Sequence, residues 1–169
     1  MTVNYIQSQL DALFGAQRPT RWVTRERPKI DRVACPWLIR RFIDPHAEFL
    51  YVPTADVFET AEREGAVAYD IPGASFSHVG EQCSFDAFIA RFDLRDRALD
   101  FLAQIVRGAD TDAHHLAPEA AGLHAISLGL SLNFKNDDDM LTQSMIIYDA
   151  LYAWAAKAKG VRHNWQPTA

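Results

Sequence analysis

Apolar residues recur at helical spacing in the first third of the chain and predict three helices there. The first covers residues 1–14 and ends at Gly15, a typical helix stop signal. A second helix is predicted over residues 33–43, with Pro36 in its first turn, where a missing N–H costs little. The third covers residues 54–64 and begins with a capping threonine.

Short β-prone runs lie between these helices and after them, and they predict strands. The candidates are residues 21–24, 49–52, 66–71 and 75–78. Pro72-Gly73 separates the last two runs and is a turn signal, so we expect those runs to pair as a hairpin. With the two earlier runs, this hairpin predicts a small mixed β-sheet in the N-terminal half.

The rest of the chain has helical periodicity. Helices are predicted over residues 85–92, 94–107, 118–130 and 137–159. Ser84 and Asn136 are the expected caps of the first and the last of these, and three aspartates favour the positive dipole end of the last one. The order of elements predicts an α+β protein with a helix-rich C-terminal half, formed as one domain over residues 1–169.

The composition is that of an ordinary globular protein, with 49% hydrophobic and 23% charged residues. A net charge of -5 argues against non-specific nucleic-acid binding as the main activity. The sequence has neither a signal-peptide pattern at its start nor an apolar run of about 18 residues, so we expect a cytoplasmic protein that does not enter a membrane. Two cysteines, Cys35 and Cys83, are too few for a disulfide framework.

The charge is unevenly distributed along the chain. Residues 18–41 contain eight basic and two acidic residues, whereas the chain as a whole is acidic. Guanidinium groups and helix N-termini both present N–H donors to a tetrahedral oxyanion such as sulfate or chromate. The candidate anion-binding residues are Arg25, Arg27, Lys29, Arg32 and Arg40. The alternative is that basic residues of this segment are solvated and have no ligand.

Cys35 lies in the same basic segment, directly before Pro36. If Pro36 is the first helical residue, Cys35 is the N-cap, where the helix dipole and the neighbouring basic side chains lower the pKa of a thiol. This position makes Cys35 the candidate redox thiol and a candidate catalytic residue. The alternative is an inert core thiol packed beside Trp37.

A second group of chemically active residues follows the last predicted strand. His78, Glu81 and Cys83 fall within six residues, and their side chains are ligands that zinc or ferrous iron accepts. Asp110, from the helical half, is the candidate fourth ligand. The spacing indicates a divalent transition metal, although a solvated histidine and a buried structural cysteine would fit it as well.

Asp149 lies within the apolar arc of the last predicted helix, close to the direction of Met145 and Tyr152. A carboxylate there is costly to bury unless it is paired or ligates a metal. We therefore expect Asp149 to be buried, either as a metal ligand or general base or in a structural ion pair with an arginine of the basic segment.

Several long segments resemble one protein family. They are TRERPKIDRVACPWLIRRFID (24–44), AYDIPGASFSHVGEQCSFDAFIARF (68–92), IVRGADTD and LAPEAAGLHAISLGLSLNF (within 105–134) and MIIYDALYAW (145–154). In these segments the chain is similar to the C-terminal domain of the ChrB family of chromate-resistance proteins. The resemblance covers roughly residues 20–155.

This resemblance implies a part in bacterial chromate resistance, beside an efflux transporter. Full-length members carry an added N-terminal region thought to make them chromate-responsive regulators, and direct DNA binding is not expected from the 19 residues that precede the resemblance here. Together with the residues above, it predicts a cytoplasmic protein that binds or senses a chromate-like oxyanion or a metal ion, accessory to chromate efflux or its regulation.

The sequence leaves the reaction class open. A thiol- or metal-dependent reductase, hydrolase or transferase acting on an anionic substrate would use the same residues, with Cys35 and Asp149 in catalytic roles. The expected partners are a small chromate- or sulfate-like anion and, as a homo-oligomer, further copies of this chain.

Overall fold

The computed structural model describes residues 3–161. Within this range the α-helices are Val3–Phe14 (α1), Asp31–Leu38 (α2), Val57–Glu64 (α3), Ser84–Arg91 (α4), Arg97–Asp110 (α5), Ala120–Asn133 (α6) and Asp137–Lys157 (α7). The strands are Arg21–Arg25 (β1), Glu48–Val52 (β2) and Val67–Ala68 (β3). A π-helical turn, Ile39–Ile43, extends α2, and 3-10 turns cover Thr54–Asp56 and His114–Leu116. No helix in residues 3–161 combines the length and the apolar character needed to cross a membrane.

The three strands form one sheet in the order β2-β1-β3, and both pairings are parallel. β1 pairs with β2 from Arg21↔Glu48 to Arg25↔Val52, and Trp22 pairs with Val67 of β3. In a parallel sheet all strands end at the same edge, so the loops that follow them meet there. The segments after β1 and β3 are therefore neighbours at the carboxyl edge of the sheet.

The predicted hairpin over residues 66–71 and 75–78 is wrong. Only Val67–Ala68 joins the sheet, and Tyr69 and Phe76 form an isolated bridge that is itself parallel. The chain turns sharply at Asp70, whose φ of 50° lies in the left-handed region, and its N–H donates to the carbonyl of Phe76 at 2.8 Å. The α+β class, with a small sheet first and helices after it, is confirmed.

The cap predicted for the long last helix is confirmed. The side-chain oxygen of Asn136 accepts the N–H of Asp139 at 3.0 Å, and α7 begins at Asp137. At α4 the cap is Cys83 rather than Ser84, although the helix itself lies where the sequence predicts it. These helices agree with the sequence because a cap and an amphipathic period are local signals.

The centre of the fold is α2, which packs against α4, α5 and α7. Trp37 of α2 is 1% exposed and lies between the rings of Phe85 and Tyr148, at centroid distances of 6.4 and 6.1 Å. Phe76 and Phe88 stack at 4.5 Å in a second aromatic layer beside the sheet. Aromatic side chains bury about 150–250 Å² each, so these contacts pack α2 firmly against α4 and α7 and pack α4 beside the sheet.

Candidate functional site

A cavity of about 330 Å³ opens at the carboxyl edge of the sheet. Its charged lining residues are Arg25, Lys29, Arg32, Asp70, His78 and Asp110. We call it the edge pocket. Asp70 in its lining and Ile30 just before α2 have positive φ values of 50° and 30°, and this backbone conformation is strained for the β-branched Ile30.

Asp31, the first residue of α2, lies buried beneath this pocket with 1% of its side chain exposed. Its carboxylate accepts the backbone N–H of Ser84 at 2.6 Å and that of Phe85 at 2.9 Å. The thiol of Cys35 lies 3.4 Å from the same carboxylate. The Asp31 side chain therefore satisfies the first N–H groups of α4 and joins the starts of α2 and α4.

Asp70 follows β3 and is 6% exposed. It accepts the Ser84 hydroxyl at 2.7 Å, and its other oxygen lies 3.1 Å from Arg25 Nη2 and 3.4 Å from Arg32 Nε. Burial alone would raise the pKa of Asp70, but His78, Ser84 and the two guanidinium groups outweigh burial and hold the pKa below its ordinary value. Asp70 is therefore ionised and fixes both arginines at the pocket.

His78 places its Nε2 atom among three carboxylates. The distances are 3.4 Å to Asp31 and 3.3 Å each to Asp70 and Asp110. Asp31 and Asp70 raise the pKa of His78 to about 10, so the imidazole is protonated at neutral pH. Burial, together with Asp31 and Asp70, raises the pKa of Asp110 to about 6. The pocket floor therefore holds a carboxylate cluster, Asp31, Asp70 and Asp110, facing one imidazole.

Three of the five predicted anion-binding residues, Arg25, Lys29 and Arg32, line the edge pocket. Arg32 is held by hydrogen bonds from its Nη1 atom to the carbonyls of Arg25 and Glu26, both at 3.1 Å. Arg25 donates to the Asp70 carbonyl at 2.8 Å. Both guanidinium groups are positioned by the backbone of the segments that end at the sheet edge.

Arg27 and Arg40 lie elsewhere in the fold. Arg27 donates to the carbonyls at the end of α6 and pairs with Asp137 at 3.3 Å, so it joins α6 to the start of α7. Arg40 donates to the Ala47 carbonyl at 3.1 Å and covers the ring of Phe49 at 4.9 Å. The structure thus does not bring these two residues to the edge pocket, and each guanidinium makes structural contacts elsewhere.

Cys35 is not an N-cap, and this prediction is wrong. The helix begins at Asp31, so Cys35 lies inside it with 0% exposure. Burial, with the nearby Asp31 and Asp70 carboxylates, raises the pKa of the Cys35 thiol well above its ordinary value. The structural argument for a reactive thiolate at this position is thereby removed.

Pro36 lies in the helix interior and not at the helix start, where the sequence predicts it. Proline cannot donate to the carbonyl four residues earlier, which here belongs to Arg32. The hydroxyl of Tyr69 donates to that carbonyl instead, at 3.2 Å. A side chain from the residue that follows β3 thus satisfies the carbonyl that the proline leaves free, and this contact is not visible in the local sequence.

Of the predicted metal ligands, His78 and Asp110 come together and the other two do not. Cys83 is the buried cap of α4, with its sulfur 3.4 Å from Asp86, and Glu81 lines a separate cavity. Among residues 3–161, the group whose ligand atoms all lie within 4.8 Å of one another is Asp31, His78 and Asp110. Asp31 and Asp70 are not among the site residues that the sequence predicts; an acidic residue near the end of a β-prone run, just before the Pro72-Gly73 turn signal, could have identified Asp70.

Asp149 does not line the edge pocket; it lies near the C-terminal end of α2, in an ion pair with Arg41 at 2.6 Å. It also accepts the Trp37 indole N–H at 2.8 Å. Its partner is an arginine of the basic segment, as one alternative predicted, but its side chain is 43% exposed, so the expectation of burial is wrong. Arg41 holds the pKa of Asp149 below its ordinary value.

The exposure of this pair sets the expected effect of Asp149→Ala on stability. An exposed ion pair and one hydrogen bond contribute little, so we expect the free energy of unfolding to fall by about 1 kcal/mol. Urea denaturation of Asp149→Ala, of Arg41→Ala and of the wild type measures this change in the free energy of unfolding. A loss of about 3 kcal/mol or more would show that Asp149 carries a buried charge after all.

The fold and the site together define an α+β protein with a charged pocket at the carboxyl edge of a small parallel sheet. The family model described as ChrB, C-terminal domain, matches residues 22–155, which include every residue of the edge pocket. The chain is 40% identical over 133 residues to Protein ChrB of Cupriavidus metallidurans, covering 78% of this chain and 40% of that protein. The chain belongs to the ChrB family, as the resemblance predicted.

The chain spans about two fifths of the length of that curated relative. No solved structure matches the chain.

Proposed function

We propose that this protein serves chromate resistance by binding a chromate-like oxyanion in the edge pocket. Membership of the ChrB family supports the process, and the convergence of four cationic side chains supports the ligand. Those side chains are Arg25, Lys29, Arg32 and His78. We place this activity in the cytoplasm, where chromate would be sensed before export.

The observation that carries the proposal is the fixed placement of the two arginines. Asp70 and backbone carbonyls hold Arg25 and Arg32 at one wall of the pocket, so little side-chain entropy is lost when an anion binds. Lys29 Nζ and Arg32 Nη2 make no hydrogen bond to residues 3–161. These N–H groups are available to oxyanion oxygens, which accept strong charge-assisted hydrogen bonds.

Charge balance explains why the site suits binding better than turnover. The four cationic groups face the carboxylate cluster, which offsets most of their charge. A modest positive excess attracts a dianion without holding it irreversibly, as a sensor of changing concentration requires. Neither Cys35 nor Cys83 is suited to reduce an anion in the pocket, since both thiols are buried and have raised pKa values.

Calorimetric titration of chromate, with sulfate as competitor, tests the proposal. We expect stoichiometric binding, and about tenfold or greater weakening in Lys29→Gln and Arg25→Gln, because each removes a charge-assisted hydrogen bond. Arg41→Gln is the matched control, since Arg41 pairs with Asp149 outside the pocket. Lack of binding by the wild-type protein, or equal affinity in all variants, would refute the proposal; consumption of chromate in excess of protein would favour the enzyme alternative.

A further inference from the structure

We infer that the floor of the edge pocket is a divalent-cation site formed by Asp31, His78 and Asp110, with Asp70 beside them. This site goes beyond oxyanion recognition and does not depend on it. Its ligands come from three separate places: the start of α2, the segment after β3 and the end of α5. These elements pack on one another, so the donor atoms are brought together by the core of the fold.

The distances among the donor atoms are those of ligands sharing an ion. The 3.3–3.4 Å contacts of His78 Nε2 are longer than an ordinary N–H···O hydrogen bond, which is about 2.7–3.2 Å. Two donors, each about 2.1 Å from a tetrahedral ion, lie about 3.4 Å apart. One imidazole nitrogen cannot hydrogen-bond three carboxylates well, whereas one cation can bind Asp31, His78 and Asp110 together, since their ligand atoms all lie within 4.8 Å of one another.

Asp31 provides a second argument, because its one cationic neighbour among residues 3–161, the His78 imidazole, is shared with Asp70 and Asp110. No lysine or arginine nitrogen of residues 3–161 lies within 4.0 Å of its carboxylate. Its hydrogen-bond donors are two backbone N–H groups and the Cys35 thiol, which are all neutral. Burying an ionised carboxylate is costly unless it is paired, and a divalent cation at the cluster would give Asp31 a stronger partner than an imidazole shared among three carboxylates.

The ligand types select the class of cation. Carboxylate oxygens with one imidazole nitrogen suit Mn²⁺, Fe²⁺ or Zn²⁺ and do not suit soft ions that prefer thiolates. Both thiols lie outside the donor set: Cys35 is a helical residue behind Asp31, and the sulfur of Cys83 faces Asp86. The cation would replace the Nε2 proton of His78 and would offset most of the negative charge of the three carboxylates on the pocket floor.

The site is tested by titrating the chelator-treated full chain with Mn²⁺. The electron paramagnetic resonance signal of free Mn²⁺ reports how much of the metal remains unbound. We expect close to one bound equivalent, with affinity reduced about tenfold or more in Asp110→Asn and in His78→Gln. The Asp110 and His78 side chains are 19% and 42% exposed, so these variants disturb the core less than a change at the buried Asp31. Mn²⁺ should also raise the Tm of the wild type and not that of the variants.

Two control variants separate this site from incidental binding. Asp138→Asn removes an exposed carboxylate at the start of α7, and His115→Gln removes an exposed imidazole; neither should change Mn²⁺ affinity. Absence of binding up to millimolar Mn²⁺ or Zn²⁺, or binding that Asp110→Asn leaves unchanged, would overturn the inference. Lys29→Gln should weaken chromate and spare Mn²⁺, so the failure of one proposal is distinguishable from the failure of the other.

Discussion

Replacing Asp31 with alanine is expected to lower the free energy of unfolding by about 3 kcal/mol. The change leaves the buried N–H groups of Ser84 and Phe85 without an acceptor, and each lost partner costs about 1–3 kcal/mol. Relief of repulsion from Asp70 and Asp110 offsets part of this loss. For a chain of this size, each kcal/mol corresponds to about 2–4 °C, so Tm should fall by about 6–12 °C.

Urea denaturation and thermal melting measure this effect. Asp31→Asn is the conservative variant: it keeps one oxygen that can accept one of the two N–H groups, so its loss should be smaller. Asp138→Ala is the matched control, because Asp138 is an exposed carboxylate in the first turn of α7 and contributes about 0.3–1 kcal/mol through the helix dipole. A loss below about 1 kcal/mol for Asp31→Ala would show that the start of α4 does not depend on this carboxylate.

Alkylation of Cys35 in the native protein is expected to be slower than in the unfolded chain by a factor of about 10³ or more. The thiol is 0% exposed inside α2 and its pKa is raised, so reagent reaches a thiolate only in molecules that have opened. The open fraction of a small domain is about 10⁻³ or less, which sets the factor.

The measurement uses Cys83→Ser protein, so that Cys35 is the single reporting thiol. Serine is a good N-cap residue and should be tolerated at this cap of α4. Labelling is followed across a pH series, with guanidinium-unfolded protein as the reference. Rapid labelling of the folded protein, with a midpoint below that of free cysteine, would restore Cys35 as a redox thiol and would contradict its burial.

The sequence alone could identify several individual parts of the candidate site. Arg25, Lys29 and Arg32 were selected by their concentration in one basic segment, and His78 and Asp110 by their ligand chemistry. These are properties of single side chains and short segments. The same is true of α7, whose cap at Asn136 acts on the N–H of a residue three positions later.

The grouping of these residues depends on the tertiary structure. Asp31 reaches Ser84 across 53 positions, and His78 meets Asp110 across 32, because β1 and β3 lie side by side and α5 packs on α2. No periodicity along the chain encodes which distant carboxylate will face an imidazole.

The roles of Cys35 and Asp149 were decided in the same way. In the local sequence Pro36 indicates a helix start. In the structure the hydroxyl of Tyr69 satisfies the Arg32 carbonyl, so the helix begins at Asp31, five residues before Pro36, and Cys35 is buried. Asp149 lies on an apolar arc, but Arg41 pairs with it at the surface, where its side chain remains partly exposed to solvent.

The sequence by itself determined the helices, the fold class and the family, because caps, amphipathic periods and motifs act over a few residues. Only the tertiary structure decided the parallel sheet edge and its carboxylate cluster, because their stability comes from contacts between segments far apart in the chain.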